Sequence, residues 1–258
     1  MLFFKRILKE PAPAVASGSK APAVERRSGQ RFGISPEFPL KVVLSFVARD
    51  ESGAPMSNTR HGWNWKGRLI DCSEEGARMQ LGPGIRVDVG EACDLKLSVQ
   101  DFELTIPCHV TNLTEEPQGV VLGLNHAIGD ATTLEAYRQL VEVIALGSTL
   151  KFQSRTPKPD ESGYIVEVFG GTRSSRLTVW RYPGKGGVAA FEFMLKDNLV
   201  RAAAGQRVEF LADIAGAGSQ PATSDKCVEI GRLFHWVVPN LPADLPADLR
   251  AFLKHYAT

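Results

Sequence analysis

Apolar and polar residues alternate with a period of two along much of the chain between residues 39 and 127. This period is typical of half-buried β-strands, and breaks rich in glycine, proline and polar residues separate the segments. The alternation predicts strands over 39–49, 67–71, 77–81, 92–99, 102–114 and 119–127. The 67–71 and 77–81 segments are close enough to form a hairpin.

A helical period follows the last of these strands. Over 132–146, six apolar residues share one helix face: Leu134, Tyr137, Leu140, Val141, Ile144 and Ala145. Asp130 is the expected N-cap, and Gly147 is the expected stop. Strands of this number and spacing, followed by a helix, predict a mainly β fold: a six-stranded antiparallel barrel with a C-terminal helix.

The second half of the chain also shows strand patterning. Residues 148–163 are expected to be a linker, and 164–258 a second β-rich domain. Its predicted strands are 164–169, 176–181, 188–195, 207–214 and 228–238, followed by a helix over 244–256. Two interpretations of this domain stand: a degenerate copy of the first domain, or an unrelated β domain with similar hairpins.

The copy interpretation depends on loose internal alignments. Arg68–Leu81 lines up with Arg176–Phe191, and Val121–Leu124 with Glu229–Arg232. In each half, the last of these segments precedes a predicted closing helix.

The N-terminal residues 1–24 differ from the rest in composition. Residues 10–24 are rich in proline, alanine and serine, so we expect a disordered tether. The apolar runs in residues 1–9 are too short to span a bilayer. The sequence therefore predicts a cytoplasmic protein without a transmembrane segment.

Composition narrows the classes of function. The 258 residues are 43% hydrophobic and 23% charged with a net charge of +1, which is ordinary for a soluble protein and gives no general attraction for DNA or RNA. Four cysteines and five histidines lack metal-ligand spacing, and no catalytic motif is present. We therefore expect neither a metal site nor an enzyme.

Two short motifs flank the first predicted strand. Arg27 and Arg31 form R-x-x-x-R, directly preceded by Arg26; residues 71–76 form D-x-S-x-x-G. Each alone has an ordinary explanation. The arginines could be solvated loop charges, and the second motif could be a tight turn in which glycine supplies a positive φ.

In this order, the two motifs resemble those of the PilZ domain, the bacterial receptor module for cyclic di-GMP. The resemblance covers about 25–147 and suggests that the C-terminal domain, if a copy, is a degenerate PilZ-like domain. It implies cyclic di-GMP as the ligand, with no other cofactor. The implied ligand-binding residues are Arg26, Arg27, Arg31, Asp71, Ser73 and Gly76.

The chemistry of these residue types fits that ligand. A guanidinium matches the paired acceptors of guanine and also binds phosphate, whereas a carboxylate accepts from the N–H groups of guanine. An additional arginine at the position of Arg26 often accompanies two stacked ligand molecules in the family.

The resemblance also implies a role in signalling. Such a receptor changes its conformation or its contacts with a protein partner, and thereby controls motility, exopolysaccharide or adhesion. The alternative is a PilZ-like scaffold that binds a protein partner without nucleotide. The sequence identifies neither the partner nor the oligomeric state.

Overall fold

The computed structural model describes residues 29–46, 64–85, 87–172, 174–184, 186–214 and 218–257. Arg26, Arg27 and the expected tether over 1–24 lie outside the described residues.

The first sheet contains the predicted strands and one additional short strand. Its members are β1 (Phe32–Gly33), β2 (Lys41–Ser45), β3 (Asn64–Cys72), β4 (Gly76–Leu81), β5 (Ala92–Val99), β6 (Phe102–Glu116) and β7 (Gly119–His126). Hydrogen bonding follows the order β1-β3-β2-β5-β6-β7-β4, and β3 also pairs with β4. This last pairing closes a six-stranded antiparallel barrel, which confirms the predicted fold.

The apolar residues that alternate along the sequence point into the barrel, and the polar residues between them point outward. In β4, Ala77, Met79 and Leu81 are buried, while Arg78 between them is exposed. The same alternation in β5 and β6 brings Leu95, Leu97 and Ile106 to at most 1% exposure. Inward aliphatic side chains therefore fill the barrel, and polar side chains are left on its outer surface.

Helix α1 (Ala131–Ser148) follows the barrel strands and begins as predicted. The backbone N–H of Thr133 donates to Asp130 Oδ1 at 2.7 Å, so Asp130 caps the helix. Gly147 does not stop it. A Cβ on Gly147 would lie 2.7 Å from the Val237 carbonyl oxygen, so this glycine allows a close approach instead.

The described residues fall into two compact units. One unit takes in Asp71–Gln139 with the described parts of Val42–Gly67 and Met1–Arg31. The other takes in Phe32–Lys41, Arg68–Ile70 and Leu140–Thr258. The predicted domain limits, with a linker over 148–163, stay a prediction; inside that range Lys151–Arg155 forms a strand, β8.

The second sheet is a simple meander. Its strands are β8, β9 (Ile165–Gly170), β10 (Ser175–Arg181), β11 (Val188–Leu195), β12 (Asn198–Ala203), β13 (Glu209–Ile214) and β14 (Gly218–Pro221). Each strand pairs with its neighbours in sequence, in the order β14 to β8. This order differs from the crossover order of the first sheet.

Helices cover the buried face of the second sheet. They are α2 (Ser224–Val237) and α3 (Ala247–Tyr256), with a 3₁₀ turn at Val238–Asn240 between them. Phe191 of β11 stacks on Phe234 of α2 at 5.8 Å and meets Phe252 of α3 edge-on at 6.1 Å. An aromatic cluster is therefore the centre of this unit's core.

The predicted strand over 228–238 is wrong, because most of this segment lies in helix α2. Its valine, isoleucine, phenylalanine and tryptophan favour a strand by composition. However, Ile230, Leu233, Phe234 and Val237 are buried, and their spacing is helical. Helical packing against the sheet overrides the residue preferences.

This error bears on the copy interpretation of the C-terminal domain. Glu229–Arg232 is helical, whereas Val121–Leu124, with which it was aligned, lies in strand β7. One of the supporting alignments therefore fails. A second PilZ-like domain is not confirmed.

An ion-pair network around the buried Arg181 joins several elements of the second unit. The Arg181 side chain is 7% exposed, and its Nε donates to Glu167 Oε2 at 2.6 Å. Its Nη1 donates to the Gly186 carbonyl oxygen at 2.5 Å and to Asp248, in the first turn of helix α3. The bond from Arg181 lowers the pKa of Asp248. One guanidinium thus links β9, β10, a turn and a helix.

Replacing Arg181 should therefore destabilise the protein. We expect Arg181→Ala to lower the free energy of unfolding by about 3–5 kcal/mol, since the buried Glu167 carboxylate loses its closest partner. Arg176→Ala, at an exposed position of the same strand, is the control and should change it by less than about 0.5 kcal/mol. Urea unfolding followed by circular dichroism measures both, and equal midpoints would contradict the expectation.

Candidate functional site

The D-x-S-x-x-G motif forms the bend between β3 and β4. The Ser73 N–H donates to the Gly76 carbonyl oxygen at 2.8 Å. The Ser73 hydroxyl and the Gly76 backbone are also joined: Oγ donates to the Gly76 carbonyl oxygen and accepts from its N–H, both at 3.2 Å. These bonds set the path of the chain directly after Asp71.

Gly76 is required for a reason that the sequence did not reveal. It is absent from the glycines of the described chain that have a positive φ. Instead, a Cβ on Gly76 would lie 2.3 Å from the Leu124 carbonyl oxygen, on the neighbouring strand β7. The turn explanation based on φ is therefore wrong, and close strand approach is the cause.

Tyr137 ties helix α1 to the motif. Its side chain is fully buried, and its hydroxyl donates to the Ser73 carbonyl oxygen at 2.9 Å. The ring of His126 meets the ring of Tyr137 edge-on at 4.4 Å. Helix, turn and the end of β7 are therefore in mutual contact beside Asp71.

Asp71 is the centre of the site. It lies near the end of β3, and its side chain is 11% exposed. Arg31 Nη1 donates to Asp71 Oδ1 at 2.6 Å, and Arg78 Nη2 lies 2.7 Å from Oδ2. Each carboxylate oxygen thus has its own guanidinium partner.

The contact between Arg31 and Asp71 brings the two sequence motifs together. A Cβ on Gly29, inside the R-x-x-x-R motif, would lie 3.6 Å from the Ser73 Cβ. The described end of the arginine motif therefore lies against the D-x-S-x-x-G turn. The positions of Arg26 and Arg27 lie outside the described residues.

Arg78 is a site residue that the motifs do not contain. Its exposure follows from the alternation in β4, which the sequence shows. Its proximity to Asp71 depends on the geometry of the hairpin between β3 and β4, which the sequence does not fix. A search for charged residues just after the motif would have found it.

The two arginine partners of Asp71 are more exposed than the carboxylate itself. The side chains of Arg31 and Arg78 are 41% and 50% exposed, whereas that of Asp71 is nearly buried. The pKa of His126 is lowered to about 4, mainly by burial and also by the charge of Arg31, against the opposing effect of the Glu74 backbone. The histidine is therefore neutral at pH 7, and the arginines are the cations that can bind an anion.

Residues 25–143 match the family model of the PilZ domain. This range contains the barrel, both motifs and most of helix α1. This part of the chain is therefore similar to the PilZ domain, in agreement with the resemblance of the motifs.

Two solved structures show similarity to about half of the chain. The PilZ domain of YcgR from Escherichia coli, with c-di-GMP, is 11% identical; the match covers 45% of this chain and 89% of that one, with a TM-score of 0.33. The MrkH–c-di-GMP complex of K. pneumonia is 15% identical; the match covers 47% of this chain and 53% of that one, with a TM-score of 0.34. No curated protein sequence matches the chain. The similarity to the PilZ domain thus depends on the match to the family model.

The described residues contain neither a candidate membrane span nor a candidate metal site. None of their helices is long and apolar enough to cross a membrane. They also contain no group of three side chains that could hold a metal ion.

The role of Gly76 can be tested against a matched glycine. We expect Gly76→Ala to lower the free energy of unfolding by roughly 1–3 kcal/mol, because its methyl group would overlap the Leu124 carbonyl. Gly82→Ala is the control, since no atom lies within 4 Å of a Cβ there. Thermal unfolding of both variants measures the difference; a Gly76 variant as stable as the Gly82 variant would refute the close-approach explanation.

The buried histidine should make stability depend on pH. Because the pKa of His126 falls from 6.5 to about 4 on folding, the unfolded chain binds a proton between these values and the folded one does not. The free energy of unfolding should therefore decrease, by on the order of 2–3 kcal/mol, as the pH falls from 6.5 to 4.

Urea unfolding at several pH values tests this dependence. His126→Gln should flatten the decrease, whereas His109→Gln, at an exposed position of β6, should leave it unchanged. The same slope in the parent and in the His126 variant would show that this ring is not responsible.

Proposed function

We propose that this protein is a receptor for cyclic di-GMP and that its PilZ domain holds the ligand. The observation that carries the proposal is the contact of Arg31 with Asp71, which joins the two motifs at one end of the barrel. A cationic, half-exposed pair of arginines is suited to a ligand with two phosphates and two guanines.

Arg31 is the residue with the clearest role in this proposal. Among the described residues, Arg31 bonds only to Asp71, and only through its Nη1. Its side chain is 41% exposed. Its remaining N–H donors form a fork that suits a phosphate or the O6 and N7 of guanine. Arg26 and Arg27 complete the arginine set, and the presence of Arg26 favours two bound ligand molecules.

The remaining motif residues shape the other side of the ligand site. Asp71 accepts from guanine N–H groups or orients the arginines. The Ser73 hydroxyl donates to the Gly76 carbonyl oxygen at 3.2 Å, which is longer than the usual 2.7–2.8 Å of an O–H donor. This hydroxyl can therefore donate to a phosphate oxygen instead. Gly76 brings the turn against β7.

As a receptor, the protein would act by a change in conformation or in partner contacts, without catalysis. Ligand would order the arginine motif on the barrel, and a protein partner would detect the new surface. Motility, exopolysaccharide or adhesion is the proposed output, and the cytoplasm the proposed location.

Calorimetric titration of the full-length protein with cyclic di-GMP tests the proposal. We expect saturable binding by the parent. Arg31→Ala and Asp71→Ala should each weaken binding by roughly 10- to 100-fold, because each loses a charge-assisted hydrogen bond worth about 1.5–3 kcal/mol. Arg176→Ala, an exposed arginine of the second sheet, is the control and should bind like the parent.

Two outcomes would refute parts of the proposal. No heat and no change in melting temperature at saturating ligand would leave the nucleotide-independent scaffold as the better explanation. Parent-like binding by both the Arg31 and Asp71 variants would show that the ligand binds elsewhere.

A further inference from the structure

We infer that Arg78, which belongs to neither motif, binds a phosphate of the ligand, and that Asp71 positions its guanidinium beside that of Arg31. This inference rests on the proposed function, since it names an additional contact at the same site. It also gives Asp71 a specific role, namely to orient two cations.

The first support is the incomplete bonding of Arg78. Its Nη2 lies 2.7 Å from Asp71 Oδ2, and the side chain remains 50% exposed. Among the described residues, Asp71 is its only hydrogen-bond or ion-pair partner. Nε and Nη1 are therefore available, and a guanidinium that is fixed at one nitrogen has lost part of its rotational freedom before a ligand arrives.

The second support is the distribution of charge. Arg31 and Arg78 carry two positive charges against the single negative charge of Asp71. Within this cluster the carboxylate is 11% exposed and the two guanidinium side chains are 41% and 50% exposed, so the guanidiniums are its accessible groups. A phosphate diester supplies one negative charge and oxygens that match the fork of a guanidinium.

The third support concerns Asp71 itself. Each of its oxygens already accepts from an arginine, and little of its side chain is exposed. A carboxylate in this position affects ligand binding mainly by orienting the two guanidiniums that it accepts from. Removal of the Asp71 carboxylate would release both guanidiniums. They would then no longer be oriented before the ligand binds.

The competing explanation is that Arg78 makes an ordinary surface ion pair. Such pairs contribute little to stability, and many contribute nothing measurable. Arg138 provides the comparison within the same domain, since its half-exposed side chain lies 3.8 Å from Glu74. If Arg78 is an ordinary surface arginine, its loss should have the same effect as the loss of Arg138.

The test is calorimetric titration of full-length variants with cyclic di-GMP. We expect Arg78→Met to weaken binding by roughly 10- to 100-fold, the usual effect of removing a charge-assisted hydrogen bond. Arg78→Lys keeps the charge without the fork and should lose less. Arg138→Met should stay within about 2-fold of the parent, because an ordinary surface ion pair contributes little.

A second readout separates a ligand contact from a structural effect. Binding through an arginine–phosphate contact weakens as salt rises, so the affinity of Arg78→Met should depend less steeply on salt concentration than that of the parent. Circular dichroism of the ligand-free Arg78 and Arg138 variants should match that of the parent, which establishes that both variants are folded when their binding is measured.

The outcomes distinguish this inference from the proposed function. If the parent does not bind cyclic di-GMP, the proposed function fails and this inference fails with it. If the parent binds and Arg78→Met binds as tightly as Arg138→Met, only the inference about Arg78 is overturned. Weaker binding with an unchanged salt dependence would also overturn the phosphate contact.

Discussion

A nearly buried carboxylate at the end of strand β3 is the constraint on which the site depends. An ionised group with 11% of its side chain exposed requires partners, because an unpaired charge in such a position is strongly unfavourable. Asp71 finds them in Arg31 and Arg78, at 2.6 and 2.7 Å. The carboxylate thereby draws an arginine from the lead-in segment and one from strand β4 to a single point.

The surrounding residues keep that carboxylate in place. The bend after Asp71 is fixed by Ser73 and Gly76, and the Tyr137 hydroxyl bonds the Ser73 carbonyl oxygen from helix α1. Gly76 allows β4 to lie against β7 with the Leu124 carbonyl where a methyl group would be. The helix that completes the barrel therefore also supports the turn, so the stability of the fold and the geometry of the site are linked.

Much of the fold was predictable because it follows from local alternation. The barrel strands and helix α1 were predicted from periods of two and 3.6, and Asp130 caps the helix as expected. Predictions failed where distant neighbours decide the outcome. Residues 228–238 look like a strand but pack as a helix, and Gly76 needs space beside Leu124 that only the pairing of β4 with β7 reveals. The contact of Arg78 with Asp71 was missed for the same reason, because hairpin geometry brings them together.

Arg181 and Arg78 both pair with carboxylates, but they differ in how many of their nitrogens are bonded within the protein. Arg181 is 7% exposed and uses Nε, Nη1 and Nη2 on Glu167, Gly186 and Asp248, so all of its nitrogens are bonded within the protein. Arg78 uses one nitrogen on Asp71, its other nitrogens have no partner among the described residues, and half of its side chain is exposed. Since a guanidinium binds a ligand only through donors that the fold has not already used, Arg181 stabilises its unit, whereas Arg78 is available for recognition. Counting the bonded nitrogens of an arginine therefore separates a structural role from a binding role better than the presence of an ion pair does.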